Sequence, residues 1–147
     1  MGWIFYCLHK LLAYLLTLKL EYTKIRIMQL DWIIFFYIGA NGESPVRAFI
    51  AGLDDKTRVR IGSSIERLRT LNTQAREPLV KHLEGKLYEL RIESSTNIYR
   101  VLYFFFTGRR IVLLHAFQKK SQKTPAKEIE TALQHMNRYL ESVRGGE

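Results

Sequence analysis

Cysteine is almost absent from this chain of 147 residues: Cys7 stands alone, so no intrachain disulfide can form. Proline occurs only three times, and no stretch reads as a proline-rich linker. The four histidines, His9, His82, His115 and His135, do not fall into H-x-x-x-H or HExxH spacing, and no Cys/His pattern for zinc is present. A metal site and a cofactor are therefore not expected. Acidic residues are also scarce. Fourteen Asp and Glu stand against 23 Lys and Arg, giving a net charge of +9 and a pI near 9.8. A field of that sign favours phosphate or an acidic protein as partner. Uninterrupted hydrophobic runs are missing as well. The richest candidate, Ile4 to Leu18, is broken by His9 and Lys10 and falls short of the about 20 apolar residues of a membrane span. Its charges do not come first, and no A-x-A-like site follows it, so it makes a poor signal peptide.

The chain divides into two parts. Residues 1–27 are rich in Leu and aromatics and do not match the remainder. They read as an extension ahead of a start at Met28, with the alternative of an apolar helix that packs on the domain or lies on a membrane surface. Without residues 1–27 the net charge falls by three, four Lys/Arg less one Glu, to +6, and the basic character survives. Residues 28–147 then form one domain, a length compatible with a single modest core. Hydrophobic residues at 47% and charged residues at 25% fit a globular protein.

Along that domain, Trp32–Tyr37 is an apolar β-prone run closed by Gly39-Ala40-Asn41-Gly42. Ser44-Pro45 reads as a helix cap with proline in the first turn, followed by Val46, Phe49, Ile50 and Leu53. Asp54 or Asp55 caps a second helix with the apolar stripe Val59, Ile61 or Gly62, Ile65, Leu68 and Leu71. The other face of that helix carries Lys56, Arg58, Arg60, Glu66, Arg67 and Arg69, and reads as solvated surface. Leu79–Leu83 is a short strand or an irregular lead-in. Three strands come next: Lys86–Arg91, Ile98–Phe104 and Ile111–Lys120. Ser94–Asn97 and Thr107-Gly108 make the hairpin links. Thr124-Pro125 starts a last helix with the stripe Ile129, Ala132, Leu133, Met136, Leu140 and Val143. The order β-α-α-β-β-β-α predicts an α+β fold: a small antiparallel sheet packed against two N-terminal helices and a C-terminal helix.

The three strands carry charge where core is expected, and charge there is costly unless something compensates it. Alternation places Glu89 and Arg91 on one face of the first strand. It places Ile98, Arg100, Leu102 and Phe104 together on the second, and Ile111, Leu113, His115, Phe117 and Lys119 together on the third. Glu89, Arg91, Arg100, His115 and Lys119 converge if the registers align. Such a set suits cleavage of a phosphodiester by a 2′-hydroxyl. Arg91 and Arg100 match phosphate oxygens. Glu89 or His115 suits proton transfer. Lys86, Lys119, Lys120 and Lys123 suit positioning of an RNA backbone.

The motifs LEGKLYELR (Leu83–Arg91), IYRVLYF (Ile98–Phe104) and LLHAFQKKSQKTP (Leu113–Pro125), in this order, resemble the phage-derived, HigB-like branch of the RelE/ParE toxin superfamily. The resemblance covers about residues 30–143. Ala116 stands where the branch commonly has glycine. The resemblance implies a RelE-like fold and a toxin of a type II toxin–antitoxin system, working in the cytoplasm. It further implies a ribosome-dependent mRNA endonuclease that needs no metal, with functional positions at Arg91, Arg100 and the strand end Phe117–Lys120. The implied partners are a HigA-like helix-turn-helix antitoxin, the ribosome and mRNA. Operator DNA would be met only through the antitoxin, and a membrane only if residues 1–27 are native. ParE-like relatives of the same fold inhibit DNA gyrase instead. That reading, or an inactive remnant that only binds a partner, is the alternative.

Overall fold

The computed structural model describes residues 2–146, without the side chains of residues 2–6 and 25–30; Met1 and Glu147, the outer ends of the two expected segments, lie outside it. The chain forms two compact units that divide between Asp31 and Trp32. The first unit is one helix, α1 (Gly2–Leu30). It runs without a break through Met28, so the expected boundary after residue 27 falls within it. Its described side chains, from Cys7 to Lys24, are all exposed.

The second unit holds β1 (Ile33–Phe36), α2 (Pro45–Ala51), α3 (Asp55–Leu71), β2 (Val80–Glu84), β3 (Leu87–Ser94), β4 (Asn97–Phe106), β5 (Arg110–Lys119) and α4 (Ala126–Arg144). The fold is α+β, as the patterning predicts, but the sheet has five strands in the order β1-β5-β4-β3-β2. It is mixed rather than antiparallel: β1 runs parallel to β5, with Phe35 opposite Val112. The connection from β1 to β5 spans most of the domain, so local patterning holds no trace of it. The segment at Val80 is a full edge strand, antiparallel to β3. Its alternation is masked because Lys81 and His82 both lie exposed at the sheet's rim.

Two caps behave as their residues dictate. Ser44 accepts from the Arg47 amide at 3.3 Å and Asp54 from the Thr57 amide at 3.0 Å. In α3 the buried stripe is Thr57, Ile61, Ile65 and Leu68. Val59, expected on it, is 69% exposed. The last helix departs from expectation too. Pro125 occupies its cap position without a side-chain bond, because the Thr124 hydroxyl is drawn to the sheet instead.

The sheet separates two apolar clusters. Helices α2 and α3 cover Leu90, Ile92, Tyr99, Val101, Tyr103, Ile111 and Leu113 on one face. Helix α4 covers Leu87, Leu102, Phe104, Val112 and Leu114 on the other, with its own Ala132 and Met136. One irregularity decides which residues of β5 go where. Leu102 pairs with His115, but the next residue, Tyr103, pairs with Leu113. Leu114 is therefore an extra residue, a bulge. Ile111 and Leu113 face α3, whereas His115 and Phe117 face α4. Simple alternation, which groups all of these on one face, is corrected by that one residue.

Candidate functional site

The register lays the charged residues out in rows on the α4 face. Arg91 opposes Arg100, which opposes Phe117. In the adjoining row Lys81 opposes Glu89, which opposes Leu102 and then His115. On the far side of the arginine row, Glu93 opposes Ile98, which opposes Lys119. Pairing thus brings two arginines side by side on neighbouring strands, which like charges tolerate only with a counter-charge between them.

Glu89 is that counter-charge. Its side chain is wholly buried. Arg91 Nε donates to Oε1 at 3.2 Å, and Arg100 Nε lies 3.1 Å from the same oxygen without the alignment of a hydrogen bond. The Thr124 hydroxyl donates to Oε2. Burial alone would raise the carboxyl's pKa. Thr124 and Arg91, with the charges of Arg100 and Lys119, overcome it, and the group is held below the usual carboxylate range. Glu89 is therefore a locked carboxylate at neutral pH.

Arg100 is 8% exposed and Arg91 25% exposed at the side chain. Arg100 donates to the Tyr99 carbonyl at 2.8 Å. Burial lowers its pKa, with Glu89 opposing, from so high a starting point that the guanidinium stays charged. Arg91 also reaches Glu77 at 3.6 Å. Lys119, half-buried at the end of β5, has its pKa lowered, first by burial and then by Arg100, with Glu89 opposing.

Arg91 and Arg100 line a groove of about 680 Å³ that continues onto α3. Arg60, Arg67 and Arg76 line it as well, and among the described residues Glu77 and Glu93 are its only acids. Three cations more than acids in one open groove make a strongly positive surface. The α3 arginines read as solvated surface in the sequence. The available signal was their spacing: Arg60 and Arg67, seven residues apart, share one stripe of the helix.

His115 is placed differently. Its Nε2 lies 2.5 Å from Glu128 on α4, and its Nδ1 is buried without a hydrogen-bond partner. Its ring stacks on Phe117 and meets His135 edge-on at 6.0 Å. His135 in turn contacts the Leu114 carbonyl through Nδ1 at 2.8 Å, and burial lowers its pKa. The histidine is thus fastened between β5 and α4, with 18% of its side chain exposed. Thr124 and Glu128, one helical turn apart, clasp Glu89 and His115 respectively, and neither contact was anticipated from the sequence.

The lysines scatter. Lys120 and Lys123 are exposed just beyond β5, beside Lys119. Lys86 sits in the β2–β3 turn, five residues before Arg91 along the strand, which is roughly 16 Å away; the structure does not bring it to the cluster. Among the described residues, no three His, Cys, Asp or Glu side chains gather as a metal ion requires.

Residues 48–137 match the family of phage-derived Gp49-like proteins. Every residue of the arginine, Glu89 and His115 clusters lies within that span. The chain is also 34% identical over 99 residues to the probable endoribonuclease HigB1 of Mycobacterium tuberculosis, in strain CDC 1551 / Oshkosh and in strain H37Rv alike. The aligned part is 67% of this chain and 77% of each relative. A family model over more than half the chain, a relative of this identity and the ordered strand motifs agree, and the chain belongs to the phage-derived Gp49-like family, in the HigB-like branch of the toxin–antitoxin toxins.

Proposed function

We propose that this chain is an endoribonuclease toxin that cuts mRNA in the ribosome by attack of a 2′-hydroxyl on the adjacent phosphorus, without a metal ion. The observation that carries the reading is the pair Arg91 and Arg100, held by a sealed carboxylate at the edge of an open cationic groove. The name of the mycobacterial relatives, endoribonuclease, supports the reaction class. In the reaction a bond forms between the 2′-oxygen and phosphorus and the bond to the 5′-oxygen breaks. The products are a 2′,3′-cyclic phosphate and a 5′-hydroxyl. Arg91 and Arg100 hold the non-bridging oxygens, where negative charge grows in the transition state. Lys119, whose proton is made easier to lose by burial and by the neighbouring arginines, protonates the departing 5′-oxygen. The proton of the 2′-hydroxyl leaves to water.

Glu89 and His115 take other roles than the acid–base ones the sequence suggests. Glu89 is sealed from any substrate and positions the two arginines. His115 has its Nε2 engaged by Glu128 and its Nδ1 enclosed, and it fastens α4. The α3 groove, with Lys120 and Lys123, tracks the RNA backbone. A HigA-like helix-turn-helix antitoxin neutralises the toxin and carries it to operator DNA. Translating ribosomes put the site of action in the cytoplasm.

The test is cleavage of an mRNA by chain made in a cell-free system, with and without ribosomes, with the ends of the fragments identified. Cleavage is expected only with ribosomes, to leave 2′,3′-cyclic phosphate and 5′-hydroxyl ends, and to be lost in Arg91→Ala. Cleavage of naked RNA would remove ribosome dependence, and 3′-hydroxyl with 5′-phosphate ends would remove the 2′-hydroxyl route. No cleavage together with inhibition of gyrase supercoiling would replace the reading with the ParE-like one.

A further inference from the structure

Helix α1 leaves large apolar side chains in water. Leu8, Leu11, Leu15, Leu18 and Tyr22 are between 49% and 66% exposed. Their spacing is three, four, three, four. The same alternation extends by sequence to Ile4 on one side and Ile25 on the other, three heptads in all. That is the 3.5-residue period of a coiled-coil seam rather than the 3.6-residue period of a helix lying on a globular core. No charge interrupts the seam: His9, Lys10, Lys19, Glu21 and Lys24 all fall beside it.

Away from the seam the sides are mixed: Leu16 and Leu20 lie on one flank, while Lys10, Thr17 and Lys24, seven residues apart, share a narrow polar stripe with Glu21, as the outer side of a paired helix does. Among the described residues, no helix is long and apolar enough to cross a membrane. An exposed Leu offers on the order of 100 Å² of apolar area. Seam and flanking side chains from Cys7 to Tyr22 therefore offer on the order of 800 Å² per copy, the scale of a stable interface.

We infer that α1 is a self-association helix whose occupant is the same seam on a second copy of this chain. The sequence reading leaves this segment as surplus to the domain; the seam gives it a task separate from the groove. Sedimentation equilibrium of the full chain tests it. The expected particle is at least twice the 17.3 kDa of one chain. Leu11→Glu with Leu18→Glu, on the seam, is expected to return it to one chain. Leu16→Glu with Leu20→Glu, off the seam and equal in charge and in cost to the helix, is expected to leave it associated. A monomeric full chain overturns the inference, as does equal loss in both double variants or persistence of the particle in the seam variant. Binding of the chain to vesicles of anionic lipid in place of self-association would assign the helix to a membrane surface instead.

Discussion

Glu89 and His115 lie in one row of the sheet, two strands apart on the same face, and α4 treats them in opposite ways. It touches Glu89 only through Thr124, at the point where the helix is about to begin. It covers His115 with its body, through Glu128 and His135. Both are polar groups in an apolar surrounding, and both are partnered. Around Glu89 the partners are cations that line the groove; around His115 the partners are an acid and two rings that hold it against α4. The difference teaches that alternation assigns a face, whereas the start of the next helix decides which of its residues the helix covers.

The strongest way to break this comparison is at Arg100. Arg100→Ala removes the donor that the proposed reaction assigns to the transition state, and cleavage is expected to fall by about 100-fold or more. Single-turnover cleavage assays on ribosome-bound mRNA measure it; near-normal rates would mean the Glu89 corner is structural.

Glu89→Gln comes next. It keeps the shape but leaves two buried or half-buried guanidinium groups without their anion, so a stability loss of about 3 kcal/mol is expected in urea unfolding. The pH dependence comes from the sign of the shift. The carboxyl's pKa is lower in the folded state than the ordinary 4.5. Its contribution is therefore full above the unfolded value and is lost as pH falls through the folded one. The wild type is expected to lose stability across that acid range more steeply than Glu89→Gln. Parallel acid profiles would show that Glu89 is not the locked carboxylate described.

Arg60→Ala and Arg67→Ala should act more mildly and in the binding step. Each is expected to weaken binding to ribosome-bound mRNA uniformly across sequences and to reduce its salt dependence by about 0.7 in log–log slope. Unchanged salt dependence would return the α3 face to plain solvated surface. The smallest catalytic effect belongs to His115→Gln, with a change under about threefold in cleavage and a lower melting temperature from the lost Glu128 contact. A loss as deep as that of Arg100→Ala would erase the distinction between the corner at the groove and the one under α4.

Part of the candidate site was legible because charge inside a strand is conspicuous. Arg91 and Arg100 stand out against Leu90, Ile92, Val101 and Leu102 in the sequence itself. The caps at Ser44 and Asp54 were legible for a similar reason: they depend on residues three positions apart. What remained hidden depends on residues far apart. The parallel pairing of β1 with β5, the hydrogen bond from Thr124 to Glu89 and the contact of Glu128 with His115 are set only when the domain closes. The arginines of α3 carried a visible pattern, but a helix face gains meaning from the groove beside it, and that groove exists only in three dimensions. In α1 the seam was visible by counting, though masked by the further leucines Leu12, Leu16 and Leu20 on one flank.

The bulge at Leu114 also decides which residues β5 can lose. Removing Leu114 itself sacrifices a core side chain but leaves a regular ladder, with Leu113 and His115 as successive partners of Tyr103 and Leu102. Phe117 and Lys119 then keep their side of the sheet. Removing Ala116, two residues on, deletes a smaller side chain but turns Phe117 and Lys119 over, away from the arginines. For this strand a deletion is judged by parity before size, and the larger residue is the more dispensable of the two.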